Sequence, residues 1–317
     1  MRILKASSFL AAVCLFAGTA FSWAETVRVG TWKTQQTIQP FVYKQFLAQG
    51  QPVEVRSFTN PGDMKNALLA GSLDVTGTTI VQAIISASKG EPVVIVASMA
   101  SKCSALVVRK ESRITKASDL KGKKIGYVPG TMHQVLLLEV LAKAGLTPKD
   151  VKLIRVDFFD MLTALSRKQI DAFLSGEPYP TIAQLNGVGR VLSYPYFGDS
   201  VGTINSAMLT TRDEISRHPG RIQEVVTAHV KATAFLKKNN DAWIREAAQF
   251  GFDPKILKAA ANNIDLSWDI DKNYIRHTKS LAERMKALGM IERMPNIESL
   301  FDTRFVAAAK KTLKATK

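Results

Sequence analysis

Apolar and polar positions along this chain follow two periods in turn, two residues and then three to four. Alternation over 26–32 predicts a strand, and 40–49 follows as a helix stopped by Gly50. A second strand over 52–58 places Val53 and Val55 on one face. Asp63 then caps a helix that runs through Ala70 to Gly71, and 73–77 is a third strand. Ile80, Ala83, Ile84 and Ala87 fall on one helical face closed by Gly90, and 93–97 reads as a buried strand. After 105–109 the pattern restarts, with strands over 124–128, 151–156, 170–174 and 190–194. Between them lie helices over 131–144 and 161–167 and a helical turn after Pro178. A strand over 204–210 returns the chain to a helical region that includes 221–238 and 274–288.

One short phrase occurs in both halves. Ala67-Leu68 followed by Leu73-Asp74-Val75 is echoed by Ala164-Leu165 followed by Ile170-Asp171-Ala172, each time a helical turn feeding an apolar strand. Strands and helices that alternate twice in this way predict two α/β lobes, each with a largely parallel sheet, and a cleft between them. Ligands of such sheets lie beyond the carboxyl ends of the strands. The expected division is a leader over 1–24, lobe 1 over 25–100, lobe 2 over 101–200 and the rest of lobe 1 over 201–317. Crossovers are expected near 98–104 and 196–203.

Composition adjusts this picture at the ends. Arg2 and Lys5 precede an apolar run to Phe21 and a small-x-small site at Ser22-Trp23-Ala24, the pattern of a cleaved export leader, so the mature chain is expected to start at Glu25 without lipid on Cys14. With the leader gone only Cys103 remains, which excludes an internal disulfide; a buried inert thiol is the simplest reading. The 43 basic and 27 acidic residues give a formal net charge of +16, but the lysines are scattered without interleaved aromatics, so nucleic acid is not an expected partner.

Candidate chemistry gathers at strand-to-helix turns. Thr31-Trp32-Lys33-Thr34-Gln35 follows the first strand, with Trp32 as either a flat pocket wall or a core plug. Gly77-Thr78-Thr79 follows the third. Gly130-Thr131-Met132-His133 opens a helix whose free N–H groups suit an anion, although Thr131 equally well caps its own helix. Glu177-Pro178-Tyr179 offers a carboxylate that either caps a helix or accepts hydrogen bonds from a ligand in the cleft. Asp160 reads as a cap. His133, His218, His229 and His277 are too dispersed for a metal site, and no nucleophile elbow, phosphate loop or dinucleotide loop is present, so neither catalysis nor a cofactor is expected.

The runs 70–75, 89–92 and 119–124, with Gly130-Thr131, Ala144-Gly145-Leu146, Ile170-Asp171-Ala172 and Gly176-Glu177-Pro178-Tyr179, resemble the periplasmic solute-binding proteins of ABC importers for nitrate, bicarbonate, taurine and alkanesulfonates, together with the related thiamine-pyrimidine group. The resemblance implies a type II periplasmic binding protein fold, two α/β lobes joined by two crossovers, acting as a monomer that delivers one small molecule to a membrane permease. By position Trp32, Thr34, Thr78, Thr79, Thr131, Met132 and Glu177 match the cleft-lining turns of that family; Gln35, His133 and Tyr179 join them from the reading of the turns above. This chain lacks the cysteine-rich segment of the pyrimidine group and has Tyr179 where many oxyanion-binding relatives have Trp. The expectation is a small organic anion or oxyanion held at helix N-termini, with a heteroaromatic bound by Glu177, or an enzyme on the same fold, as the rivals.

Overall fold

The first strand of the computed structural model, β1 (Val27–Thr31), lies one place in from the edge of the first sheet. The model describes residues 25–196 and 201–315; the leader with Cys14 and the Ser22-Trp23-Ala24 site, and part of the second crossover, lie outside the described residues. After β1 come β2 (Val53–Ser57), α1 (Pro61–Leu69), β3 (Val75–Thr79), α2 (Ile80–Ser88) and β4 (Val93–Lys102). The chain then enters a second sheet through β5 (Ser104–Arg109), β6 (Lys124–Tyr127), α3 (Met132–Lys143), β7 (Lys152–Arg155), α4 (Met161–Ser166), β8 (Ala172–Gly176), α5 (Tyr179–Leu185) and β9 (Gly189–Ser193). It returns as β10 (Ile204–Thr211), followed by α6 (Arg212–Arg217), α7 (Pro219–Lys238), α8 (Asn240–Ala248), α9 (Pro254–Ala260), β11 (Ile264–Leu266), α10 (Lys272–Ala287) and α11 (Arg304–Ala315).

Two sheets result, ordered β11-β4-β10-β3-β1-β2 and β7-β6-β8-β5-β9. They are less parallel than the alternation of strand and helix suggests. In the first, β10 runs antiparallel between β3 and β4; in the second, β5 runs antiparallel between β8 and β9. Both reversed strands follow a crossover, so each lobe receives a central strand from the segment that links it to the other. At the first crossover Lys102 and Cys103 adopt φ of 62° and 68°, conformations costly for residues with a Cβ. They are held by bonds from Lys102 N to Thr203 O and from Cys103 N to Asn263 O, both 2.7 Å.

Local chemistry accounts for two departures from the expected elements. Residues 40–49 form no α-helix; two 3-10 turns, Gln35–Thr37 and Gln39–Gln45, replace it. Pro, aromatic and β-branched residues crowd this stretch and disfavour an α-helix, while the tighter turn lets Gln39 donate to Met99 O at 2.8 Å. Tyr43 is fully buried there, with its hydroxyl 2.9 Å from His229 Nδ1. His229 Nε2 lies 2.8 Å from Ser98 O, and a carbonyl only accepts, so Nε2 carries the proton and Nδ1 accepts from Tyr43. The cap of α1 is Asn60, accepting from Gly62 N and Asp63 N ahead of Pro61, and Asp63 sits in the first turn. Asp160 precedes α4 but makes no capping bond with its side chain.

The repeated phrase becomes a repeated corner. Arg28 N donates to Asp74 Oδ2 at 2.7 Å, and Lys124 N donates to Asp171 Oδ2 at 2.9 Å. The return bonds, Asp74 N to Arg28 O and Asp171 N to Lys124 O, complete the pair in each lobe. An arginine neutralises each carboxylate, Arg28 for Asp74 and Arg109 for Asp171. These aspartates fasten a strand start to its neighbour.

Candidate functional site

A small, narrow cavity lies where the two sheets face each other. Its walls come from turns after strands of both lobes. Trp32, Thr34, Gln36 and Thr37 follow β1, Thr79 ends β3, Thr131 and His133 open α3, Phe158 precedes α4, Gly176, Glu177 and Tyr179 follow β8, and Asn205 and Ser206 lie on β10. Glycine at Gly130 with a φ of 68° and Pro178, which has no N–H to give, turn the chain out of the second sheet at this end.

Seven of the ten residues expected at the site meet in this wall: Trp32, Thr34, Thr79, Thr131, His133, Glu177 and Tyr179. The other three lie behind it. Gln35 is buried against α9, donating to Leu257 O at 3.0 Å, while its own carbonyl accepts from Trp243 Nε1; the neighbouring Gln36 takes the place in the cavity. Thr78 points to the opposite face of β3 from Thr79, as the two-residue period of a strand requires. Met132 packs into the core, and only its backbone takes part, donating from N to Thr79 Oγ1 at 3.1 Å. Sequence reasoning also passed over Gln36, Thr37, Phe158, Gly176, Asn205 and Ser206. The usable signal was the polar pair Asn205-Ser206 at the start of a buried strand.

Aromatic rings line one side. Trp32 meets Phe158 edge to face at 5.8 Å between centroids, and Phe158 meets His133 at 5.3 Å; Tyr179 packs on Phe252 across the lobes at 6.1 Å. Gly176 allows this crowding, since a Cβ there would lie 3.0 Å from His133 Nε2 and 3.3 Å from Gln36 Nε2. His133 Nδ1 is 3.1 Å from Ser104 Oγ, and burial pushes its pKa down to about 4, so the ring is neutral at pH 7. Thr131 does cap α3, accepting from Gln134 N at 3.3 Å and donating to Val128 O at 2.8 Å, so its hydroxyl is already engaged.

Glu177 is the acid in this wall, 2% exposed. Its Oε1 accepts from Asn263 Nδ2 at 3.1 Å and its Oε2 from Thr181 N at 3.2 Å, bonds that favour the carboxylate. Burial opposes them and wins, holding the pKa above the usual carboxylate range. No ion pair reaches it among the described residues, and the cavity wall contains no Lys or Arg; Lys33 faces solvent. Three polar atoms in the wall, Gln36 Oε1, Tyr179 Oη and Ser206 Oγ, are buried without a hydrogen-bond partner among the described residues. Native interiors leave few such atoms, and three of them belong to residues of one cavity wall, where a polar guest is expected.

Polar contacts also clasp the lobes together at the rim. Gln82 Nε2 donates to Gly130 O at 2.8 Å, and Arg284 of α10 pairs with the buried Glu139 of α3. No helix among the described residues is long and apolar enough to cross a membrane, and no cluster of potential metal ligands occurs among them.

Comparison with known proteins places this architecture. The alkanesulfonate-binding protein SsuA of Xanthomonas axonopodis pv. citri, solved bound to MOPS, superposes with a TM-score of 0.78 at 21% identity, covering 88% of this chain and 98% of that one. The fold is therefore that of a type II periplasmic binding protein. A Brucella abortus protein described as a binding protein is 29% identical over 273 residues, 82% of this chain and 83% of its own. A Haemophilus influenzae protein described as a thiamine biosynthesis protein is 24% identical over 253 residues, 76% of this chain and 78% of its own. The family model described as NMT1/THI5 like matches residues 46–242, and the chain belongs to the NMT1/THI5-like family.

Proposed function

We propose that the protein is the periplasmic ligand-capturing component of an ABC importer, and that its ligand is a small planar heteroaromatic, neutral or singly cationic, with N–H donors. The charge of the wall carries this reading: one desolvated carboxylate, a neutral imidazole and no cation. An anion there would place a like charge beside a carboxylate already short of solvent. A ring with N–H groups instead meets the free lone pairs of Glu177, while Trp32, Phe158 and Tyr179 supply apolar faces and Gln36, Tyr179 and Ser206 their unused polar atoms. The related thiamine biosynthesis protein is in keeping with such a ligand. Capture is by lobe closure without chemistry. His133 is neutral and tied to Ser104, and burial, the larger cause, with the nearby Glu177 charge pushes the Cys103 thiol far above its usual range, which leaves neither poised as base or nucleophile. The leader motif and the binding-protein relatives support export to the periplasm and delivery, as a monomer, to a permease.

The second reading, a sulfonate-, taurine- or nitrate-like anion, draws on the start of α3, a twelve-residue helix whose first turn brings Thr131 and His133 to the cavity wall. Mass spectrometry of the ligand that co-purifies with the native protein, followed by calorimetry with that compound, separates the two. For a heteroaromatic, Glu177→Gln weakens binding by roughly tenfold or more, the loss of a hydrogen bond to a charged group. Binding that is unchanged or tighter in Glu177→Gln would hand the site to an anion.

A further inference from the structure

Glu177 belongs to two cavities. The groups that hold its oxygens, Thr181 N and Asn263 Nδ2, belong to residues outside the cleft wall, where a second, open groove is lined by Lys102, Glu177, Thr181, Tyr194, Tyr196 and Asn263. Tyr194 and Tyr196 stack there, with ring planes 19° apart and centroids 6.4 Å apart. Tyr196 is fixed, its hydroxyl 3.0 Å from Ser104 O and 2.6 Å from Asn263 Oδ1, whereas Tyr194 is 50% exposed and Leu185 beside it 60% exposed. The Tyr194 phenol is pushed above its usual range by burial and then by the Glu177 charge, so that carboxylate is felt on this side of the wall.

We infer that this outer cavity is a second binding site, for a planar organic cation of the amidinium or aminopyridinium type, stacked on Tyr194 with its N–H groups towards Glu177. A buried carboxylate with no ion-pair partner among the described residues and an exposed ring backed by the fixed Tyr196 are the two parts such a ligand needs, and cation–π attraction adds to the charge pairing. Lys102 is the cation of the rim, and its charge opposes the ligand. The site shares Glu177 with the cleft reading proposed above, and the variants below each act on one side of that wall.

Benzamidinium tests it. Titrated into the mature protein and followed by calorimetry and by tyrosine NMR signals, it is expected to bind with a Kd of about 1 mM, modest for a small exposed site. Tyr194→Ala, a change at a half-exposed ring that leaves the fold intact, is expected to weaken it at least ~5-fold. Lys102→Met is expected to tighten it by about 2-fold through the removed like charge. Trp32→Ala is expected to leave benzamidinium binding unchanged while it weakens binding of the compound that co-purifies, so the fate of the two sites is read separately. Benzamidinium binding lost in Trp32→Ala but kept in Tyr194→Ala would place the cation in the cleft and overturn the inference. So would the absence of any binding, or equal binding to all three variants.

Discussion

Asp74 and Asp171 hold the same corner in the two lobes, with the same backbone donors, but in different surroundings. The Asp74 side chain is fully buried and is shared by Arg28 at 2.5 Å and Arg221 of α7 at 3.4 Å; the Asp171 side chain is 22% exposed and has Arg109 alone at 2.7 Å. The difference comes from what the chain adds after it returns to lobe 1. Helix α7 lies over the first corner and removes it from water, and nothing equivalent covers the second. One sequence phrase therefore carries an ion network around a fully buried carboxylate in one lobe and a partly exposed pair in the other, and the energetic weight follows the burial.

Removing each carboxylate sharpens the contrast most. Asp74→Ala is expected to lower stability by about 3–4 kcal/mol, since it removes the buried carboxylate that Arg28 and Arg221 share and leaves the Arg28 N–H without its acceptor, and Asp171→Ala by about 1–2 kcal/mol. Urea unfolding of both variants measures this, and equal losses would show that α7 contributes nothing to the corner.

Acid gives the next largest effect and again one group per lobe, His229 in lobe 1 and His133 in lobe 2. Burial lowers both to about 4. The unfolded chain, with a usual value near 6.5, binds protons that the folded protein refuses, so stability falls as pH drops from about 6.5 and levels off near 4, by about 3 kcal/mol for each histidine. Replacing His133 or His229 with Gln should flatten that slope by roughly one proton each. A thermal melting series between pH 4 and 7 that keeps its full slope in both variants would refute the assignment.

Across the lobes the effects are smaller. Arg284→Ala removes the clasp to Glu139 and is expected to weaken capture of the co-purified ligand by up to about tenfold through the open state, with little change in the melting temperature of the empty protein. Small-angle scattering of that variant should show a larger radius. Thr131→Val is expected to cost about 1 kcal/mol of stability whatever the ligand, because the hydroxyl caps α3; a loss confined to ligand binding would instead restore its anion-binding role.

The order of strands and helices was legible because buried strands and amphipathic helices write different periods, and the turns carrying Trp32, Thr131 and Glu177 could be placed from it. What a single period cannot report is the direction of a strand within its sheet. Strands β5 and β10 read as ordinary apolar strands, and only pairing with partners distant in sequence makes them antiparallel. The choice between Gln35 and Gln36 was closed to sequence for a related reason. A 3-10 turn rotates successive side chains differently from an α-helix, and the pull of Leu257 and Trp243 on Gln35 comes from residues more than two hundred positions away. At Thr131 the local reading was sufficient, since a cap is made within four residues.

The reversed strand in the middle of the first sheet also sets the order in which the chain can be assembled. Residues 104–193 contain every strand of the second sheet, so that lobe can close as soon as it is available. The first lobe has a gap between β3 and β4 that only β10 fills, and must wait for a segment about a hundred residues further along the chain. Long-range pairing of this kind is slow to form. A chain made from its N-terminus would thus complete its middle before its beginning, and until residue 211 is available, β3 and β4 present unpaired edges on which another strand can pair.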